Sequence, residues 1–93
     1  MLSVRIITKE YGKITLSKEE WMDFNISKVN LHSLDEPAYI EYYETYRKVL
    51  WLCDNQYHRA FQPASYCISI YDGDLDDKMT HEFFFKDNML YLS

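Results

Sequence analysis

Hydrophobic and polar positions alternate at both ends of the chain and change period in the middle. Leu2 to Lys9 is rich in β-branched residues and predicts a strand. Tyr11-Gly12-Lys13 reads as a turn, and Ile14-Thr15-Leu16 as a returning strand. Ser17-Lys18-Glu19-Glu20 fits a capping box, in which the Ser and Glu side chains each accept from the other's backbone N–H at a helix start. A short helix is expected there, with Trp21 and Phe24 turned to the core, followed by a connector from Asn25 to Leu34. Next, Tyr39, Tyr42, Tyr43, Tyr46, Val49, Leu50, Cys53 and Tyr57 recur at spacings of three and four. That spacing predicts one apolar stripe on a long helix from Glu36 to Tyr57, with Asp35 as N-cap and Pro37 in the first turn. Glu41, Glu44, Arg47, Lys48 and Asp54 mostly take the other side of this helix, whereas Ile40, Trp51 and Leu52 fall off the stripe.

Pro63 ends the helical region, and period two returns. Ser65 to Tyr71 places Tyr66, Ile68 and Ile70 on one face and Cys67, Ser69 and Tyr71 on the other. An acidic loop follows, then a strand from Met79 to Lys86, a tight turn at Asp87-Asn88 and a last strand from Met89 to Leu92. The predicted order is β-β-α-α-β-β-β. The expected fold is α+β: a mostly antiparallel five-stranded sheet with the long helix packed on one face. The last two strands carry apolar residues on both faces, Phe83 and Phe85 against Phe84, then Met89 and Tyr91 against Leu90 and Leu92. One helix covers one face, so a homodimer is expected to cover the other.

Ninety-three residues predict a single domain. A domain of this size buries about two-thirds of its unfolded surface, which leaves stability marginal. Nine Tyr, five Phe and two Trp supply large buried areas to offset that. Cys53 and Cys67 lie in apolar segments and read as reduced thiols. No signal-peptide pattern and no long apolar run is visible, so a soluble cytoplasmic protein without membrane contact is expected.

The net charge of −5 is uneven: residues 1–34 sum to +1, 35–70 to −2 and 71–93 to −4. An acidic C-terminal third argues against direct nucleic-acid binding and favours a basic partner. Its densest part is Asp72-Gly73-Asp74-Leu75-Asp76-Asp77. Asp72, Asp74 and Asp76 match the first positions of a calcium loop, but Asp77 stands where the sharp turn needs Gly and Phe83 where the bidentate Glu should be. Cys53, His58, Cys67 and His81 have spacings outside the structural zinc patterns. No nucleophile is tied to a base by a local signature. Neither a cofactor, nor a metal, nor catalysis is expected.

The N-terminal hairpin, Ser17-Lys18-Glu19-Glu20-Trp21 and the segment Tyr39-Ile40-Glu41-Tyr42-Tyr43-Glu44 resemble the small acidic early proteins of T-even-like bacteriophages, among them anti-restriction proteins, in size, composition and style. The resemblance implies a dimeric DNA mimic acting in an infected bacterial cell. Its partner would be a basic, DNA-handling host protein, a restriction nuclease of the McrBC type. Duplex DNA presents about one negative charge per 1.7 Å of axis, and fixed carboxylates at such separations enter the same basic cleft. The carboxylates implied are Asp35, Glu36, Glu41 and Glu44 on the expected helix, and Asp72, Asp74, Asp76, Asp77 and Glu82 near the sheet. A competing class is a protein-interaction module that binds through an aromatic surface, with acidity serving solubility. Salt separates the two, because a mimic loses affinity steeply with ionic strength and an aromatic interface does not.

Overall fold

Nine strands, one helical turn and a half, and one 3₁₀ turn carry the described chain, and the segment expected to be the long helix is four of the strands. The computed structural model describes residues 1–59, 62–69, 79–86 and 89–92; for Ser69 and for 79–86 and 89–92 the description is of the backbone. The elements are β1 (Ser3–Thr8), β2 (Gly12–Ser17), α1 (Lys18–Asp23), the 3₁₀ turn (Ile26–Lys28), β3 (Tyr39–Tyr42), β4 (Tyr46–Leu50), β5 (Leu52–Cys53), β6 (Gln56–Tyr57), β7 (Ser65–Ser69), β8 (Met79–Lys86) and β9 (Met89–Leu92). Seven of them form one sheet in the order β2-β1-β3-β4-β7-β8-β9, and β5 and β6 form a separate hairpin. Every ladder is antiparallel.

The expectation of an α+β fold with a long helix on a five-stranded sheet is therefore corrected to a mostly antiparallel sheet with one six-residue helix. Two turns break the supposed helix. Tyr43 N–H donates to the Tyr46 carbonyl at 2.9 Å, closing the β3–β4 hairpin around Glu44 and Thr45. Asp54 and Asn55 both have positive φ, 50° and 64°, and close the β5–β6 hairpin. Positive φ at both central residues is the geometry of a two-residue hairpin turn, and Asn and Asp tolerate it where Gly is absent. Five Tyr with Ile40, Thr45, Val49 and Trp51 make up nearly half of residues 39–57, and β-branched and aromatic residues favour a pleated surface.

The N-terminal part follows its pattern. β1 and β2 pair from Ser3↔Ser17 to Thr8↔Gly12. The capping box at α1 is complete: Glu20 N–H donates to Ser17 Oγ at 3.1 Å and Ser17 N–H donates to Glu20 Oε1 at 2.9 Å. Trp21 and Phe24 stack on each other and pack against the core. That core is Val4, Ile6, Val29, Leu31, Ala38, Tyr39 and Leu52, with Ile14, Leu16, Leu50 and Tyr57 at its border. Only one face of the sheet is covered by these elements: α1, the connector and the β5–β6 hairpin all contribute to the same cluster.

The connector is fastened to the hairpin through Asn55. Its Oδ1 accepts from Leu31 N–H at 2.7 Å, and its Nδ2 donates to the Val29 carbonyl and to Asn30 Oδ1. Beside it, Asp54 forms an ion pair with Lys9, which holds the Asp54 carboxyl below its ordinary value. Cys53 and Cys67 are not joined in a disulfide. Among the described residues no helix is long and apolar enough to cross a membrane.

Candidate functional site

Strand register sorts the side chains of the large sheet into two sets. Val4, Ile6, Ile14, Leu16, Tyr39 and Leu50 share the covered face. On the opposite face the ladder partners run Lys13↔Ile7, Arg5↔Ile40, Ile40↔Val49 and Val49↔Tyr66, with Tyr42↔Arg47 and Arg47↔Ile68 in the neighbouring row. Among the described residues no helix or strand crosses this face. Glu36 and Pro37 reach over one margin to Arg5, and Arg59 over the other to Trp51. Ile40 and Val49 are nonetheless 8% and 5% exposed.

The aromatic and cationic side chains of this face are coupled. The Arg47 guanidinium lies 5.1 Å from the centre of the Tyr42 ring. The Arg59 guanidinium lies 3.9 Å from the Trp51 ring centre and 6.0 Å from that of Tyr66. Trp51 Nε1 donates to the Tyr66 hydroxyl at 3.4 Å, and Arg59 Nη1 donates to the Pro63 carbonyl at 3.1 Å. Rings held this way lose little rotamer entropy when a partner arrives. A cleft of about 460 Å³ adjoins the group, lined by Ser33, Leu34, Asp35, Trp51, Cys53, His58, Arg59 and Gln62.

The carboxylates expected to imitate phosphates are dispersed. Asp35 is exposed on the wall of the cleft and Glu44 is exposed at the tip of the β3–β4 hairpin. Glu36 is engaged by two cations, Arg5 Nη1 at 3.2 Å and Lys13 Nζ at 2.9 Å, and the bond from Lys13 holds its carboxyl below the ordinary value. Glu41 lies on the covered side of β3 and accepts from two phenols, Tyr39 and, at 2.5 Å, Tyr43. None of the four stands on a helix. Glu82 is on β8, paired with Tyr66 in the ladder. Asp72, Asp74, Asp76 and Asp77 lie outside the described residues, as do the Asp87-Asn88 turn and the side chains of Phe83, Phe84, Phe85, Met89, Leu90, Tyr91 and Leu92 on which the dimer expectation rests.

Glu41 gives the fold an alkaline limit. Its bond raises the Tyr43 phenol from 10.0 to about 12, and burial followed by the bond to Glu41 raises Tyr39 further. Both phenols hold their protons more tightly folded than unfolded, so the native chain carries the excess of protons above the ordinary phenol value. The stability these two phenols contribute is expected to be complete below pH 10 and to be lost as pH rises toward 12 and beyond. Glu41→Gln should move phenolate formation to lower pH. Ultraviolet titration of tyrosinate alongside urea midpoints checks this; identical titrations for parent and variant would contradict it.

Sequence reasoning missed the Tyr42–Arg47 and Trp51–Arg59–Tyr66 groups. The available signal was the parity of positions 40, 42, 47, 49, 66 and 68, which only a strand assignment converts into one face. Comparison of the chain with protein-family models, with curated proteins and with solved structures found no match.

Proposed function

We propose that the protein is a non-enzymatic interaction module that binds another protein through the open face of its sheet. The observation that carries this proposal is the contrast between the two faces: one is sealed by α1, the connector and the β5–β6 hairpin, while the other holds partly exposed Tyr42, Trp51 and Tyr66 among Ile7, Ile68 and arginines. Tyr, Trp and Arg are the side chains that dominate binding energy at protein interfaces, and a pre-ordered aromatic surface lowers the entropic cost of docking. The alternative, a DNA mimic inhibiting a restriction nuclease, draws its support from the acidic C-terminal third and from exposed Asp35 and Glu44. It is disfavoured because Glu36 and Glu41 are already engaged within the chain.

A photo-crosslinking side chain at Tyr66 should yield protein adducts in a lysate of the source cell, and the same group at Glu19 on α1 should yield few. Equal adducts from both positions, or none from Tyr66, would discard the open face as the binding surface. In parallel, McrBC-type cleavage of modified DNA is expected to proceed unchanged at a large excess of the protein. Inhibition that is lost on changing Asp72, Asp74, Asp76 and Asp77 to Asn would establish the DNA mimic instead.

A further inference from the structure

The connector and the tip of the β5–β6 hairpin exchange hydrogen bonds in both directions. Leu31 N–H donates to Asn55 Oδ1 at 2.7 Å, Asn55 N–H donates to the Leu31 carbonyl at 2.9 Å, and Asp54 N–H donates to His32 Nδ1 at 3.1 Å. One of these acceptors is unlike the others. Amide and carbonyl oxygens accept at any pH near neutrality, whereas an imidazole nitrogen accepts only while it carries no proton.

Whatever the open face receives, we propose that His32 makes this latch between connector and hairpin acid-sensitive. With Nδ1 accepting, the neutral ring holds its proton on Nε2, and the next proton goes to Nδ1. Nδ1 then becomes a donor facing a donor, and the Asp54 N–H loses its acceptor. A replacement partner for the ring is close. Asp54 Oδ1 lies 3.8 Å from His32 Nδ1, too far for a hydrogen bond to the neutral ring and within reach of the charged one after a small rotation. That carboxylate stays ionised while His32 titrates, because Lys9 on the β1–β2 turn pairs with it and holds it below its ordinary value. The charged groups around the ring are therefore Asp54 on the hairpin and Lys9 on the turn; Glu10 on the same turn is engaged by the backbone and side-chain amides of Asn30. The His32 side chain is partly exposed, so it exchanges protons with solvent in the folded chain.

Protonation thus trades a bond to the backbone of Asp54 for an ion pair with its side chain. The trade falls on a turn with positive φ at two residues that are not glycine, a conformation that costs about 1–2 kcal/mol per residue and depends on its surroundings. Ser33 and Cys53, the chain neighbours of His32 and Asp54, line the cleft beside Trp51, so the switch lies on the border of that cleft.

The test is nuclear magnetic resonance of the full chain, isotope-labelled, from about pH 8 to about pH 5, the range in which histidine changes charge. At the upper end His32 Nδ1 is expected to show the shift of an unprotonated nitrogen and a scalar coupling to the Asp54 amide nitrogen across the bond. Through the titration of His32 the coupling should vanish. The protection factor of the Asp54 amide, with the intrinsic exchange rate divided out, should fall about fivefold, the equivalent of one hydrogen bond. The Leu31 amide should keep its protection, because Asn55 does not titrate. His32→Asn places an amide oxygen where Nδ1 stands and should make Asp54 protection independent of pH, while His32→Ala should leave it low throughout. Circular dichroism confirms that each variant is folded, and the titration of the parent decides the matter where a variant is not. A protonated Nδ1 at the upper end would overturn the proposal, as would Asp54 protection that is unchanged once His32 is charged. An equal fall at Leu31 would also overturn it, since the hairpin would then open as one unit.

Discussion

Replacing Ile6 with alanine is expected to remove a large part of the stability of this domain. Ile6 is fully buried on β1, a strand hydrogen-bonded on both sides, and belongs to the core with Val4, Leu31, Tyr39 and Leu52. Truncating a buried isoleucine to alanine costs about 2–5 kcal/mol, the loss of transferred surface plus the cavity left behind. A chain of this length has a net stability of roughly 5–14 kcal/mol, and small domains sit toward the low end. Ile6→Val removes one methylene and should cost about 0.5–1.5 kcal/mol. Urea unfolding of the two variants beside the parent measures both. If Ile6→Ala shifts the free energy by no more than Ile6→Val does, Ile6 is not at the centre of the core.

The second large effect is expected at Asn55, which is exposed. At φ 64° an alanine takes on the left-handed penalty of about 1–2 kcal/mol. It also leaves the N–H of buried Leu31 without its acceptor, a loss of about 1–3 kcal/mol. Together Asn55→Ala should destabilise by about 2–5 kcal/mol, more than almost any surface substitution. Asn55→Gly keeps the backbone geometry and loses only the bonds, so it should recover about half of the deficit. Hydrogen exchange at the Leu31 amide separates the parts, since it should accelerate in both variants. Equal stability of the alanine and glycine variants would show that the turn imposes no conformational demand.

Much of the periphery was legible in the sequence and the centre was not, for one physical reason. The β1–β2 hairpin, the capping box at Ser17 and the strands at 65–69, 79–86 and 89–92 follow patterns in which local residues decide local structure. Between Tyr39 and Tyr57 the sheet is apolar on both faces: one packs the core through Tyr39 and Leu50, and the other bears Ile40, Tyr42 and Val49. With both parities apolar, period two disappears. Two turns without glycine, at Glu44–Thr45 and Asp54–Asn55, then complete an accidental helical spacing. The clue lay in the residues that the helix could not place. Ile40 and Leu52 fall off its stripe and prove to be 8% and 6% exposed. The open face was hidden because Tyr42 had been assigned to an imagined core stripe and Trp51 had been left off it, so neither was placed beside Tyr66. Arg47 and Tyr42, five apart in sequence, meet only as ladder partners across a hairpin.

The strand order also bears on how fast the chain reaches this structure. From β3 to β9 each ladder of the large sheet joins strands that follow one another, allowing for the β5–β6 excursion, so that part can assemble hairpin by hairpin. The β1–β2 hairpin must instead find β3 across the whole connector. Such non-local closure is the slow event in β-rich folding, and its entropic cost rises with the length of loop to be closed. Asn55 seizes Leu31 partway along that loop and leaves a shorter stretch to search. If the contact forms before the sheet zips shut, loss of Asn55 will slow refolding as well as hasten unfolding, and an exposed side chain outside the β1–β3 ladder will govern the transition state that joins it.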